Sequence, residues 1–386
     1  MTKPRRGKIV YLGLALLLCM VCAACAPEAE SLSGEEHWLQ MVDAQRAVRA
    51  KVVSIHQDEW IEEEGNEVHT VLFTAEINQG PLKGQQIEGR LMEYAFLGYR
   101  VAPLRVGSRV YLQPMLEETG PIGEFADYDR AWGLTALAVL FAVMLCLVGG
   151  MKGFRALVAL IVTALGVAFI FIPMVRGGGS PVGAALLVCT LVSIVSLLIL
   201  GGMSVKTVSS LLGILTGLVT AGLLTVIMQA GMRLTGLVDG EAIRLTQMPG
   251  MEQLNMNGLM FAAILIGVMG AAMDMAYSLA SALEELSRKG VSGLELARSG
   301  MNVGRDIMGT MSNTLVLAYA GGSLHLIMLL AMDLSQFGYI LSWELVATEI
   351  LRALAGSVGL ILIVPATSIL SALLYRRAMA AENPFS

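Results

Sequence analysis

The chain has 386 residues, of which 55% are hydrophobic and only 15% charged, with a mean hydropathy of +0.69. Soluble domains carry about a quarter charged residues, so lipid rather than water must solvate much of this chain. A formal net charge of −5, with no basic domain, excludes nucleic acid as a natural partner.

Lys3, Arg5, Arg6 and Lys8 precede an apolar run from Ile9 to Ala26. This pattern predicts a signal peptide or membrane anchor over residues 1–26. The run ends Val21-Cys22-Ala23-Ala24-Cys25, which is similar to a lipoprotein box. Cys22 stands where such a box carries leucine, so Cys25 is a weak lipidation candidate. In either case the basic flank stays cytoplasmic, and residues 27–129 emerge on the far side of the membrane.

Residues 27–129 hold 19 acids against 8 bases, a net of −11, which leaves +6 for the rest of the chain. Strands are predicted at 50–56, 68–77, 84–93 and 106–114, from β-branched and aromatic runs in partial alternation. Glu64-Gly65-Asn66, Asn78 to Gly84 and Arg105 to Ser108 read as the turns between them. Four or five short strands with glycine turns suggest a small barrel of the OB type. Without a basic face it is unsuited to nucleic acid, and the readings left are a docking or gating role against the membrane part or a passive solvated domain. The domain has no cysteine, so disulfides do not hold it together.

After Arg130 the apolar runs return, each near the ~20 residues that a bilayer requires. The expected spans are 131–150, 154–173, 181–201, 207–229, 257–278, 307–331 and 353–375, together forming a seven-span all-α bundle over residues 130–386. Lys152, Arg155, Lys206, Arg288, Lys289, Arg298, Arg305, Arg376 and Arg377 all fall on one side of this arrangement. That asymmetry predicts cytoplasmic N- and C-termini.

Ionisable groups in spans are costly and mark function by default. Asp274 stands in the fifth predicted span. In the sixth, Asp306, Thr310 and Asn313 recur at helical spacing, with Tyr319 beyond them. A stripe of this kind has to face other helices or a wet cavity. Before the seventh span, Glu344 and Arg352 share a face with Thr348, and Glu349 reaches Arg352 at i, i+3. These groups read as a gate or as a structural clasp. Gly213 and Gly217 form a GxxxG packing motif. Gly177-Gly178-Gly179 is a linker, since no GK[ST] follows it. No GxSxG or HExxH motif occurs, and the spacing Cys19, Cys22, Cys25 lies in an apolar run, without partner histidines, where metal-binding thiolates would be costly. Catalytic residues, cofactors and metals are therefore not expected.

The run Gly304-Arg305-Asp306-Ile307-Met308-Gly309-Thr310-Met311-Ser312-Asn313-Thr314-Leu315-Val316-Leu317-Ala318-Tyr319 resembles the signature of the YibE/F-like family of bacterial membrane proteins. The stretch from Glu344 to Thr367 resembles it too, with Glu349-Ile350, Arg352 and Gly356-Ser357-Val358-Gly359 in order. So do Gly270 to Asp274 and the helix bearing Glu284 and Glu285. The resemblance covers roughly residues 50–375, with His325 as a departure near the end of the sixth span. It implies a multi-pass, permease-like protein of the bacterial plasma membrane and assigns no activity. The expectation is a transporter for a small solute or ion. In that reading Asp274, Asp306, Thr310, Asn313 and Tyr319 line the path, and Glu344, Glu349 and Arg352 act as gate or coupling groups. The alternative is a non-transporting scaffold or sensor whose outer domain binds an envelope protein. A homo-oligomer is compatible with both.

Overall fold

The computed structural model describes residues 46–63, 66–80, 82–94, 101–117, 120–332 and 337–382, together with Trp38. The predicted anchor and Cys25 lie outside the described residues. The chain divides into two compact units, residues 1–139 and 140–386.

The first unit is built on a five-stranded mixed sheet: β1 (Val48–Glu63), β2 (Asn66–Ile77), β3 (Gln86–Tyr94), β4 (Arg109–Glu117) and β5 (Gly120–Tyr128). Hydrogen bonding runs β1-β2-β3-β5-β4, and β4 pairs back onto β1, so the ring of strands closes. All pairs are antiparallel except β3 with β5. Period-2 patterning makes the core. Val71, Phe73, Ala75 and Ile77 of β2 turn inward beside Ala50, Val52, Val110 and Leu112. Phe73 lies across Gly89 on the neighbouring strand, where a β-carbon would come within 2.3 Å of the ring. Trp38 closes the core, and its indole N–H donates to the Met115 carbonyl at 3.2 Å.

The four predicted strands are present, and β1 is much longer than expected. The fifth, β5, carries Gly120, Pro121 and Gly123, which weaken any strand signal. Gly123 is nonetheless required there, because a β-carbon would meet Leu112 at 2.8 Å.

Beyond Arg130 the chain is helical: α1 (Ala131–Gly166), a π-turn (Val167–Phe171), α2 (Ile172–Arg176), α3 (Pro181–Gly201), α4 (Val205–Met232), α5 (Gly240–Thr246), α6 (Met256–Arg288), α7 (Gly293–Gly322), α8 (Leu324–Met332), α9 (Phe337–Leu341) and α10 (Glu344–Glu382). Among the described residues, five helical stretches are long and apolar enough to cross a membrane, or six if the bent pair α7–α8 is one span.

Two predicted spans, 131–150 and 154–173, fall within the single stretch Ala131–Arg176. It leaves helical geometry at Gly150 (φ 54°, ψ −134°). The predicted linker 279–306 is itself mostly helical, since α6 runs on to Arg288 and α7 starts at Gly293.

The central helix of the second unit is α6, which buries Phe261, Ile264, Leu265, Val268, Met269, Met275, Leu279 and Leu283 against α3, α4, α7 and α10. Lipid tails are as apolar as these side chains, so close packing rather than water exclusion must hold the helices together. Small residues at the crossings permit it. A β-carbon on Gly213 would lie 2.0 Å from Thr367 Oγ1, and one on Gly217 would meet Ile363 at 2.5 Å. Likewise, β-carbons on Gly300 and Gly304 would strike Ser368 and Val364 of α10. The predicted GxxxG is therefore the α4–α10 contact.

Candidate functional site

Helix α7 stops at Gly322, and α8 leaves at an angle of 72°. Gly321 and Gly322 lower helix propensity at the break, and Ser323 occupies the corner (φ −106°, ψ 27°). Its carbonyl accepts the first amides of α8, from Leu326 and Ile327. Its hydroxyl donates to Glu349 Oε2 of α10 at 3.0 Å. Glu349 Oε1 accepts from Arg352 Nη1 at 2.7 Å. Both charged side chains are largely withdrawn from the surface, at 19% and 25% exposure. Arg352 Nε is buried with no hydrogen-bond partner. The same arginine borders a cleft of about 250 Å³, together with Gly236, Asp239, Glu241, Met260 and Ala263.

One turn before the break, Tyr319 lies over α6. Its hydroxyl sits 2.5 Å from where a β-carbon on Gly267 would be, so glycine makes room for it. Ser323, Glu349 and Arg352 thus come together at the break, with Tyr319 one turn before it on α7.

The remaining sequence candidates do not join this group. Glu344, at the first turn of α10, turns to the loop after α4. It accepts from the backbone amides of Thr235 and Gly236 and from the Thr235 hydroxyl. The carboxylate thereby ties the loop after α4 to the start of α10. Thr348, on its face of α10, is fully buried. Asp274 is exposed on α6, on a face shared with Ala263, Gly267 and Gly270.

Asp306, Thr310 and Asn313 share one face of α7, as their spacing predicts, but that face is exposed. Leu296, Gly300, Gly304 and Leu315 hold the opposite face against the bundle. The stripe thus packs against none of the described helices of this chain, and its exposed side is where another helix or a wet cavity would stand. Glycine contacts with α10 decide which side of α7 turns inward, and those glycines lie opposite the polar residues.

Two further groups carried little sequence signal. Lys206 Nζ pairs with Glu284 at 3.1 Å and lies 4.8 Å from the centre of the Tyr277 ring, while Arg288 bonds the other Glu284 oxygen at 2.9 Å. Only the i, i+4 spacing of Glu284 and Arg288 hinted at this. In the β unit, His69 Nε2 meets Asp58 at 2.7 Å and Nδ1 meets Glu93 at 3.0 Å. The Glu93 carboxyl, only 7% exposed, also accepts the Val101 amide. Burial works against a charged His69, but the bonds and charges of Glu93 and Asp58 together outweigh it and raise its pKa. Strand pairing across β1, β2 and β3 makes this cluster, and no local motif announces it. Among the described residues no group of histidine, cysteine and carboxylate side chains is arranged to hold a metal.

Long apolar helices packed through glycine, with charges gathered at a broken span, define a polytopic membrane protein. The family model for YibE/F-like proteins matches residues 137–377, more than half of the chain, and the protein belongs to that family. No curated protein and no solved structure matches it.

Proposed function

We propose that the protein is a secondary transporter of a small solute or ion, working in the bacterial plasma membrane without catalytic chemistry. The observation that carries this reading is the 72° break between α7 and α8 with Ser323, Glu349 and Arg352 at its corner. Transporters bind substrate and coupling ions where helices are discontinuous, because freed backbone groups and paired charges are tolerated only beside a cavity. The unsatisfied Arg352 Nε beside a cleft fits a site that an anionic group or water would complete.

In this reading Ala131–Arg176 crosses twice. Its 46 residues would span roughly 69 Å as one helix, over twice the ~30 Å of hydrocarbon. The turn at Gly150 then makes seven spans, with the β unit outside and both termini in the cytoplasm. The strand order, with β3 and β5 parallel, supports an OB-type barrel for the outer unit. Tyr319, Glu349 and Arg352 form the gate, and Asp274 stands on the small-residue face of α6 that would guide solute towards it.

A proteoliposome screen of the wild type with pH- and ion-sensitive dyes tests the proposal. Glu349→Gln and Arg352→Gln should lower flux at least about tenfold, with unchanged insertion. A wild type that moves neither protons nor solutes ends the transport reading.

One observation favours a second reading, a sensor whose outer unit binds an envelope protein. The β1–β2 hairpin leaves Trp60 and Ile61 46% and 42% exposed, as a docking tip would. Loss of partner crosslinking in Trp60→Ala, with flux absent in the wild type, would select it.

A further inference from the structure

We infer that the polar stripe of α7 is the contact face of a membrane homodimer. Asn302, Asp306, Gly309, Asn313 and Val316 are all exposed on one side of α7. Their intervals of four, three, four and three residues are those of a heptad seam. Among the described residues, no atom beyond the adjoining turns of its own helix lies within 4 Å of a β-carbon placed on Gly309, so the middle of the seam is open to close approach.

Depth makes an unpaired stripe costly. With α7 and α8 as one broken span that enters the membrane near Ile307, Asn313 lies six residues inside it, roughly 9 Å below the surface of the hydrocarbon. Lipid offers an amide no hydrogen bond at that depth. Among the described residues, α1 has little to supply one. Along the legs of α1, the hydroxyls of Thr135 and Thr163 donate to the Ala131 and Ala159 carbonyls, which leaves their oxygens only as acceptors. The charges Lys152 and Arg155 lie beside its turn at Gly150 rather than midway along a leg. The run Ile9–Ala26 contains no amide or charged side chain at all.

A second copy does meet the requirement. An asparagine amide both donates and accepts, so Asn313 is complementary to itself. Arg305 and Asp306 are adjacent at one depth. A two-fold axis along the membrane normal therefore sets each Arg305 within reach of Asp306 of the partner subunit, and the reverse. Gly309 lets the two helices approach closely enough for both contacts. This inference does not depend on transport and holds for a scaffold equally.

The test is single-cysteine crosslinking in membranes, on the full chain with its five natural cysteines replaced by serine. Gly309→Cys, Asn313→Cys and Val316→Cys should give a band of doubled mass, while the inward Met308→Cys and Met311→Cys should not. Subunit counting of the wild type in dilute liposomes should give two copies per particle. Asn313→Leu should weaken association about tenfold, the scale of one lost interhelical bond, and Asn313→Gln should restore it. One copy per particle or a crosslinking pattern without the seam's period would each overturn the dimer. If Asn313→Leu inserts poorly, the pattern of the cysteine series decides alone.

Discussion

The Gly236 amide donates to Glu344 Oε1 at 2.7 Å, which ties the loop after α4 to the first turn of α10 across 108 residues of sequence. Gly236 is held at φ +80°, and a β-carbon there would come within 2.5 Å of the Met256 backbone. Glycine is therefore required on one side of this bond and a carboxylate on the other. Glu344→Ala leaves two amides and the Thr235 hydroxyl without their acceptor and should cost about 1–3 kcal/mol. Glu344→Gln, which keeps an acceptor oxygen, should cost less. Gly236→Ala should be at least as damaging as Glu344→Ala. Thermal unfolding in detergent, with wild-type-like stability of Glu344→Ala as the refuting result, checks the set.

The β unit should carry a pH-dependent element at His69. Its pKa is raised in the folded state by Glu93 and Asp58 against the opposing effect of burial. A raised value means that the folded state holds the proton more tightly than the unfolded one. The stabilisation is thus complete below the ordinary histidine value of about 6.5 and is lost as pH rises through the raised one. Because His69 stacks on Trp60 with ring centroids 4.9 Å apart, tryptophan emission of the full-length protein should follow the same titration. His69→Gln should flatten both. An unchanged pH profile in that variant would remove His69 from the account.

Much of this architecture could be read before any coordinates. Span positions follow from the length of apolar runs, and the β strands follow from alternation and turn glycines such as Gly84 and Gly107, both at positive φ. The Glu349–Arg352 pair was legible because helical spacing alone brings i and i+3 together. What was not legible depends on which face of a helix turns inward. The stripe at Asp306, Thr310 and Asn313 is expected to face other helices or a wet cavity, because lipid penalises polar groups, but spacing alone does not say whether those helices are this chain's own. Yet the glycines at 300 and 304 give α7 a closer contact with α10, and that contact won. Ser323 and Thr235 escaped notice because each acts through a partner distant in sequence.

Glycine substitutions should separate the two kinds of small-residue position. Gly217 faces Ile363 and the Gly359 carbonyl, with a β-carbon 2.5 Å and 3.0 Å from them, whereas Gly309 faces open space. Gly217→Ala overpacks the α4–α10 contact and should cost about 1–3 kcal/mol. Gly309→Ala should leave the fold intact or gain up to about 1 kcal/mol from helix propensity. Gly309→Leu should spare monomer stability while weakening self-association, because its side chain obstructs only a second copy. The measurements are thermal unfolding and subunit counting on the same samples. Equal destabilisation by Gly217→Ala and Gly309→Ala would mean that α7 buries the stripe after all.

The corner at Ser323 should behave as a coupled unit rather than as three separate contacts. Removing Arg352 leaves the Glu349 carboxylate withdrawn from water with Ser323 as its remaining side-chain donor, and removing Glu349 leaves Arg352 in the same position. Each single change, Arg352→Gln or Glu349→Gln, should therefore cost more than a surface ion pair would, about 1–3 kcal/mol given the partial exposure of both groups. The double variant Glu349→Gln/Arg352→Gln retains hydrogen-bonding groups on both sides and leaves no unpaired charge. It should be more stable than the sum of the single losses implies, by at least about 0.5 kcal/mol. Ser323→Ala, which removes one donor to a charged acceptor and leaves the ion pair intact, should fall below either single charge change. A double-mutant cycle of thermal stability, run without any substrate, decides it. Strict additivity would mean that Glu349 and Arg352 act independently, and the break at Ser323 would then need another explanation than charge pairing.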